Sequence, residues 1–224
     1  MSYFITGTDT GVGKTLISCA LLYAFAAQGK SVVGMKPVAA GCDEDGLNED
    51  VKKLRAATTI LASLGQMNPY SFIHPIAPHI AARNAGVQIN LQRILESYHE
   101  LSAQAYVVIV EGAGGFRVPL NDTEDSADLA VALGLPVILV VRMRLGCLNH
   151  ALLTMLAIKS CGLECAGWIA NVVDDDMAVL DENIEALQQR IEAPLLAVVQ
   201  YQANPDARTV AAQLDLELLL TQNT

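Results

Sequence analysis

The segment Tyr3-Phe4-Ile5-Thr6-Gly7-Thr8-Asp9-Thr10-Gly11-Val12-Gly13-Lys14-Thr15 constrains this chain more than any other. Tyr3–Ile5 is a short apolar run of strand type and Leu16–Ala27 reads as a helix, so the glycines fall between a strand and a helix. A helix N-terminus offers unpaired N–H groups and a positive dipole end to an anion, which makes this position a natural phosphate cradle. Gly11 and Gly13 let the backbone wrap a phosphate, Lys14 can reach the outer phosphates, and the Thr15 hydroxyl suits Mg²⁺. The spelling departs from the plain G-x-x-x-x-G-K-T pattern: Thr8 stands where the first glycine belongs, and Gly7 comes one residue early. The triplet Gly13-Lys14-Thr15 after a strand still identifies a nucleotide-phosphate site.

Beyond the loop, strand and helix alternate to the end of the chain. Strands are expected at Ser31–Met35, Tyr106–Val110, Pro136–Val141, Ala166–Ala170 and Pro194–Val199. Helices are expected at Glu49–Leu64, His79–Asn84, Leu91–Gln104, Leu148–Ser160, Met177–Arg190 and Asp206–Leu220. Cys42–Asn48 reads as a loop, and Asn68–Pro78, with three prolines, as an ordered loop without regular structure. Continuous β-branched runs such as Tyr106–Val110 suit strands covered on both faces. The expected fold is therefore α/β, a phosphate-loop domain with a mostly parallel sheet and helices on both faces. Its 224 residues suit one such domain, 1–224, with no internal repeat or linker.

In a parallel sheet of this kind, ligands bind beyond the carboxyl ends of the strands. Lys36, Glu111 and Asn171 all come directly after expected strands, so they gather with the phosphate loop. Glu111, after a buried strand, is placed to hold Mg²⁺ directly or through water. His74, His79 and His150 flank prolines or lie early in a helix and read as structural. The net charge of −10 argues against a nucleic-acid partner. No apolar run is long enough to span a bilayer, and the first residues lack a signal-peptide pattern. The five scattered cysteines, Cys19, Cys42, Cys147, Cys161 and Cys165, read as reduced thiols in a cytoplasmic protein.

Six segments together resemble the dethiobiotin synthase family, in order and spacing over nearly the whole chain. They are Gly7–Thr15, Lys36-Pro37-Val38-Ala39-Ala40-Gly41, Asn68-Pro69-Tyr70 with Pro78-His79, Val110–Gly115, Leu145-Gly146-Cys147-Leu148-Asn149-His150-Ala151, and Gly167-Trp168-Ile169-Ala170-Asn171. The resemblance implies a cyclo-ligase of biotin biosynthesis using ATP and Mg²⁺. A diamine, 7,8-diaminononanoate, takes up CO₂ to give a carbamate. The carbamate attacks the γ-phosphate of ATP, and the second amine closes a cyclic urea with loss of phosphate.

The resemblance also implies roles for individual residues. Lys14, Lys36 and Thr10 would serve the reacting centre. The nucleotide would lie against Gly11, Val12, Gly13, Lys14, Thr15 and Leu16, and against Glu111, Gly112, Ala113 and Gly114. Asn171 and Val172, with Gln200, Tyr201 and Gln202, would form the adenine pocket. Thr15, Asp50 and Glu111 would serve Mg²⁺. Lys36, Ala40, Gly114, Gly115 and Asn149 would meet the diamine, the last at a homodimer interface. Two positions depart from the family pattern: Ala40 stands where a serine is common, and Gly11 where a glutamate is common. Losing the serine hydroxyl costs on the order of 1 kcal/mol, so it weakens substrate binding and leaves the chemistry. Arg144 replaces a frequent lysine and keeps the charge.

Two alternatives belong to other classes. Nucleotide-switch ATPases of the partitioning and septum-positioning type share the fold but carry a second loop lysine, where this chain has Asp9. A catalytically quiet paralogue would be marked by departures such as Ala40 and Gly11.

Overall fold

The computed structural model describes residues 1–174 and 177–220. The first half runs β1 (Ser2–Gly7), α1 (Lys14–Ala27), β2 (Val32–Met35), β3 (Val38–Ala40), α2 (Glu49–Ala57), α3 (Leu64–Met67) and β4 (Tyr70–Phe72). Then come α4 (Pro78–Asn84), α5 (Leu91–Ser102), β5 (Val107–Glu111), α6 (Ser126–Leu133) and β6 (Val137–Arg142). The chain closes with α7 (Cys147–Ser160), β7 (Cys165–Asn171), α8 (Leu180–Gln188), β8 (Leu195–Val199), α9 (Ala207–Ala211) and α10 (Leu216–Leu220).

Among the described residues, six strands form one parallel sheet in the order β2-β5-β1-β6-β7-β8. The period of two along each strand sorts its side chains between two helical layers. Tyr3, Ile5, Val107, Ile109, Ile138 and Val140 pack with α1, α9 and α10 on one face. Phe4, Val108, Val110 and Val33 face α4, α5 and α6 on the other. Leu139, Val141 and the fully buried Trp168 extend that second layer under α7 and α8. Burying each such side chain contributes roughly 1.5–3 kcal/mol, so this two-sided core holds the strand ends in fixed register. That register matters because β1 lies between β5 and β6, and the polar strand ends open on one edge.

Four expected elements differ in the structure. The helix from Glu49 stops at Ala57 and does not reach Leu64. Thr58 turns extended there, and the hydroxyl oxygens of Thr58 and Thr59 accept from the Gly34 and Val32 amides at 3.1 and 2.9 Å. The outer side of edge strand β2 is thus occupied by side-chain oxygens and not by a further strand. Ser63 and Gln66 then form a capping box for α3. The Asn68–Pro78 stretch is not wholly irregular, since β4 pairs in parallel with β3. Asn68 Nδ2 donates to the Lys36 and Tyr70 carbonyls at 2.6 and 2.9 Å, joining the two short strands.

The helix expected over Met177–Arg190 begins only at Leu180, after Val179 adopts a left-handed φ of 50°. The expected closing helix, Asp206–Leu220, breaks into α9 and α10. At the break the Asp215 amide donates to the Leu196 carbonyl at 3.0 Å, while Asp215 Oδ1 accepts from the Glu217 amide at 3.1 Å. A tertiary bond to β8 and a fresh N-cap outcompete helix continuation. Among the described residues no helix is long and apolar enough to cross a membrane.

Candidate active site

The loop between β1 and α1 is held by sterics as much as by hydrogen bonds. A Cβ on Gly7 would lie 2.4 Å from Val12 Cγ2, so only glycine lets the loop fold back on the strand end. Gly13 has φ 97°, and a Cβ there would lie 2.1 Å from Asn171 Nδ2. Asn171 reaches across from β7 and donates to the Val12 carbonyl at 2.8 Å, fastening the loop from the sheet side. On the outer side Arg144 donates to Asp9 Oδ2 at 3.3 Å, and Lys14 Nζ donates to the Asp9 carbonyl at 2.9 Å.

Next to the loop, two lysines and two acids converge. Lys36, at the end of β2, donates to Glu111 Oε1 at 2.5 Å and to Asp50 Oδ2 at 3.2 Å. The Thr15 hydroxyl donates to the same Glu111 Oε1 at 2.9 Å. Glu111 is fully buried, and its Oε2 has no partner among the described residues. Burial opposes the charge on Lys36, but the Glu111 and Asp50 carboxylates outweigh it and hold its pKa above the ordinary lysine value. Burial likewise opposes the charge on Asp50; Lys36 and the Thr15 hydroxyl overcome it and hold Asp50 below the ordinary carboxyl value. For Lys14 the balance goes the other way: burial and then the charge of Lys36 pull it down to about 8. Burial and the nearby Glu111 push the Cys19 thiol up to about 12, so it is an inert core thiol.

Lys14, Thr15, Lys36, Asp50 and Glu111 line a cavity of about 820 Å³. Of the sequence-derived candidates it brings together Thr10, Gly11, Gly13, Lys14, Thr15, Leu16, Lys36, Ala40, Asp50, Glu111, Ala113, Gly114 and Gly115. Gly112 supports it from behind, its carbonyl 3.4 Å from Lys36 Nζ. Others stand outside that lining. Asn171 and Val172 lie at the end of β7, where the Val172 amide bonds the Val199 carbonyl at 2.9 Å, and Gln200, Tyr201 and Gln202 come next after β8. Asn149 is exposed in the first turn of α7. Cavity residues that the sequence patterns did not single out are Asn48, Lys53, Pro75, Ile76, Ala77 and Val118. For Asn48 a signal existed, as asparagine before Glu49 and Asp50 is a favoured N-cap.

Among the described residues no three His, Cys, Asp or Glu side chains gather as a metal cluster. Mg²⁺ bound with a nucleotide needs no such cage, since one or two carboxylates, phosphate oxygens and water suffice. The unpartnered Glu111 Oε2 and the half-buried Asp50 are a donor set that fits it.

Comparison with known proteins bears on the family and the fold. A family profile described as an AAA domain matches residues 1–209. The ATP-dependent dethiobiotin synthetase of Nitrosospira multiformis is 58% identical over 214 residues, covering 96% of this chain and 94% of that protein. The synthetase of the same name from Aromatoleum aromaticum is 56% identical, covering 96% of this chain and 97% of its own. Among solved structures, the MinD cell division protein of Aquifex aeolicus superposes with a TM-score of 0.58 at 14% identity, covering 99% of this chain and 96% of its own. The signal recognition particle receptor FtsY of Elizabethkingia anophelis gives 0.54 at 14% identity, covering 99% of this chain and 64% of its own. At such identities the two structures speak for the fold, that of phosphate-loop NTPases, while the curated relatives speak for the family. The chain belongs to the AAA-domain family and, within it, to the ATP-dependent dethiobiotin synthetases, which are ligases.

Proposed function

We propose that this protein closes the ureido ring of dethiobiotin from 7,8-diaminononanoate, CO₂ and ATP, with ADP and phosphate as the other products. The observation that carries this is the cavity in which Lys14, Lys36, Asp50 and Glu111 meet the phosphate loop. One amine of the diamine adds to CO₂ and gives a carbamate. A carbamate oxygen takes the γ-phosphoryl group of ATP to form a carbamic–phosphoric anhydride. The second amine attacks its carbonyl carbon, and phosphate leaves.

The protein's task in that sequence is to assemble anions and spread charge on the transferring phosphoryl group. Gly11, Gly13 and the first amides of α1 cradle the phosphates, and Lys14 lies against the β- and γ-oxygens. Lys36 stays an ammonium because its acids hold it so, and it bridges carbamate and phosphoryl oxygens. Thr10 and the backbone of Gly114 and Gly115 border the reacting atoms, and Ala40 flanks the diamine. Thr15, Asp50 and Glu111 would hold Mg²⁺, which supplies neutralisation of phosphate charge when bound. Adenine lies toward Asn171, Val172 and the 200–202 segment.

Just before and along α7, Leu145, Leu153 and Leu156 are 100%, 56% and 64% exposed, on the side where Asn149 points outward. Such a row on one helix face suits a second copy of the chain. A homodimer through α7 puts Asn149 and the start of that helix beside the partner's site, where the distant carboxylate of the diamine ends. The reduced, mostly buried cysteines suit the cytoplasm.

The test is phosphate release from MgATP in bicarbonate buffer, with and without the diamine, for wild type and Lys36→Ala. Diamine-dependent release that falls on the order of a hundredfold in the variant supports the reading. Release independent of diamine in both proteins would sink it in favour of a switch ATPase. No release from either would favour a quiet paralogue.

A further inference from the structure

We propose that Asn48 is a positioning residue that couples the diamine-facing wall of the cavity to the acid beside Lys36; the inference rests on the ligase reading. Asn48 is 8% exposed, one of few polar side chains buried to that degree. Its Oδ1 accepts from the Asp50 amide at 2.9 Å and caps α2. Its Nδ2 donates to the Ala40 carbonyl at 3.0 Å and to the Gly41 carbonyl at 3.3 Å. One side chain therefore joins the end of β3, which borders the diamine, to the residue whose carboxylate lies 3.2 Å from Lys36 Nζ.

Capping alone does not call for asparagine. Serine and aspartate cap as well, through an oxygen. An acceptor for the helix and a two-proton donor for the strand, on one short side chain, is a combination that only asparagine supplies at this reach. The two carbonyls need such a donor. Gly41 has φ 81°, which turns the chain out of β3, whose pairing with β4 ends at Ala40. Without Nδ2 the 40–48 loop keeps its internal bonds, such as the Asp43 amide to the Leu47 carbonyl at 2.9 Å, but loses those that tie its end to the Ala40 and Gly41 carbonyls. Asn68 anchors the other side of the same wall through the Lys36 carbonyl.

Asn48→Ser and Asn48→Asp separate the two bonds, because both keep a capping oxygen and lose the amide Nδ2 that reaches the Ala40 and Gly41 carbonyls. The diamine KM rises about fivefold or more in both. The MgATP KM and the Mg²⁺ concentration for half-maximal rate stay within about twofold, since Asp50 keeps its place. Asn48→Ala loses the cap too, and there the Mg²⁺ requirement rises as well. Amide hydrogen exchange needs no turnover: it quickens over residues 39–47 in Asn48→Ser and Asn48→Asp, while that of α2 is unchanged. An unaltered diamine KM in both variants, or a rise in MgATP KM in step with it, overturns the proposal. Unchanged exchange over 39–47 overturns it by itself, even for a protein that proves to have no diamine-dependent activity. Should Asn48→Ser be too unstable to assay, Asn48→Asp, equal in size and a good cap, decides.

Discussion

Lys36 and Glu111 are 75 residues apart in the chain, yet the ammonium of one sits 2.5 Å from the carboxylate of the other at the ends of adjacent strands β2 and β5. Neither is solvated: their side chains are 7% and 0% exposed. A pair so buried stabilises little as a whole, because desolvation offsets the attraction, but removing one member leaves the other charge stranded.

Lys36→Met is therefore expected to lower the stability toward urea by about 3 kcal/mol and the ligase rate by about a hundredfold. Adding Glu111→Gln removes the stranded charge, so the double variant regains most of the stability and none of the activity. Urea titration and phosphate release on the two variants check this. A single variant as stable as wild type would contradict the pairing.

With Lys14 at the nucleotide phosphates as proposed, MgATP binding is expected to have a pH limit. Its pKa in the ligand-free protein is about 8, lowered first by burial and then by Lys36. Below that pH the ammonium is already present, and MgATP affinity is flat. Above it, binding must take up a proton, so affinity falls by up to about tenfold per pH unit. Calorimetric titrations from about pH 6.5 to about 9.5 bracket that pKa and measure the break. Lys14→Arg binds without that break, because a guanidinium stays charged throughout.

The two loop glycines differ in what they tolerate. Both have positive φ, 71° at Gly11 and 97° at Gly13. A Cβ at Gly11 meets nothing within 4 Å, whereas one at Gly13 collides with the Asn171 amide. Gly11→Ala costs the left-handed strain alone, about 1 kcal/mol, and keeps nucleotide binding. Gly13→Ala must also push Asn171 off the Val12 carbonyl, and MgATP binding is lost. Fluorescent-nucleotide titration of the two proteins makes the comparison.

Ala40 borders the cavity without a polar group of its own. Ala40→Ser supplies a hydroxyl to the wall where the diamine is proposed to lie, and the diamine KM is expected to drop about fivefold with the MgATP KM unmoved. Steady-state kinetics with each substrate varied in turn reads the difference.

The exposed leucines of α7 make the proposed dimer testable. Leu153→Glu with Leu156→Glu puts two charges on the apolar row and is expected to shift the protein from dimer to monomer in sedimentation velocity, with the fold intact by circular dichroism. The diamine KM of the monomer rises, as the substrate tail loses the second subunit. A double variant that sediments as wild type excludes this face as the interface.

Much of this protein was decided locally along the chain. The phosphate loop is covalently strung between a strand and a helix, so Gly11, Gly13, Lys14 and Thr15 need no tertiary contact to declare a phosphate cradle. The continuous apolar runs announced strands covered on both faces, and the residues at and just past their ends, Lys36, Glu111 and Asn171, were legible as the polar strand ends that the fold gathers beside the phosphate loop. Non-local hydrogen bonding decided the rest. Insertion of β5 between β2 and β1 is a matter of strand order, which no local pattern encodes, and it alone brings Glu111 to Lys36. Three-residue strands such as β3 and β4 have too short a period to read. The stop of α2 at Ala57 and the break before α10 come from Thr58, Thr59 and Asp215 bonding to distant backbone, where tertiary partners overrode helix propensity. Asn48 shows the two levels meeting: its cap is written in the neighbouring residues, while its grip on Ala40 and Gly41 exists only once the chain has folded back on itself.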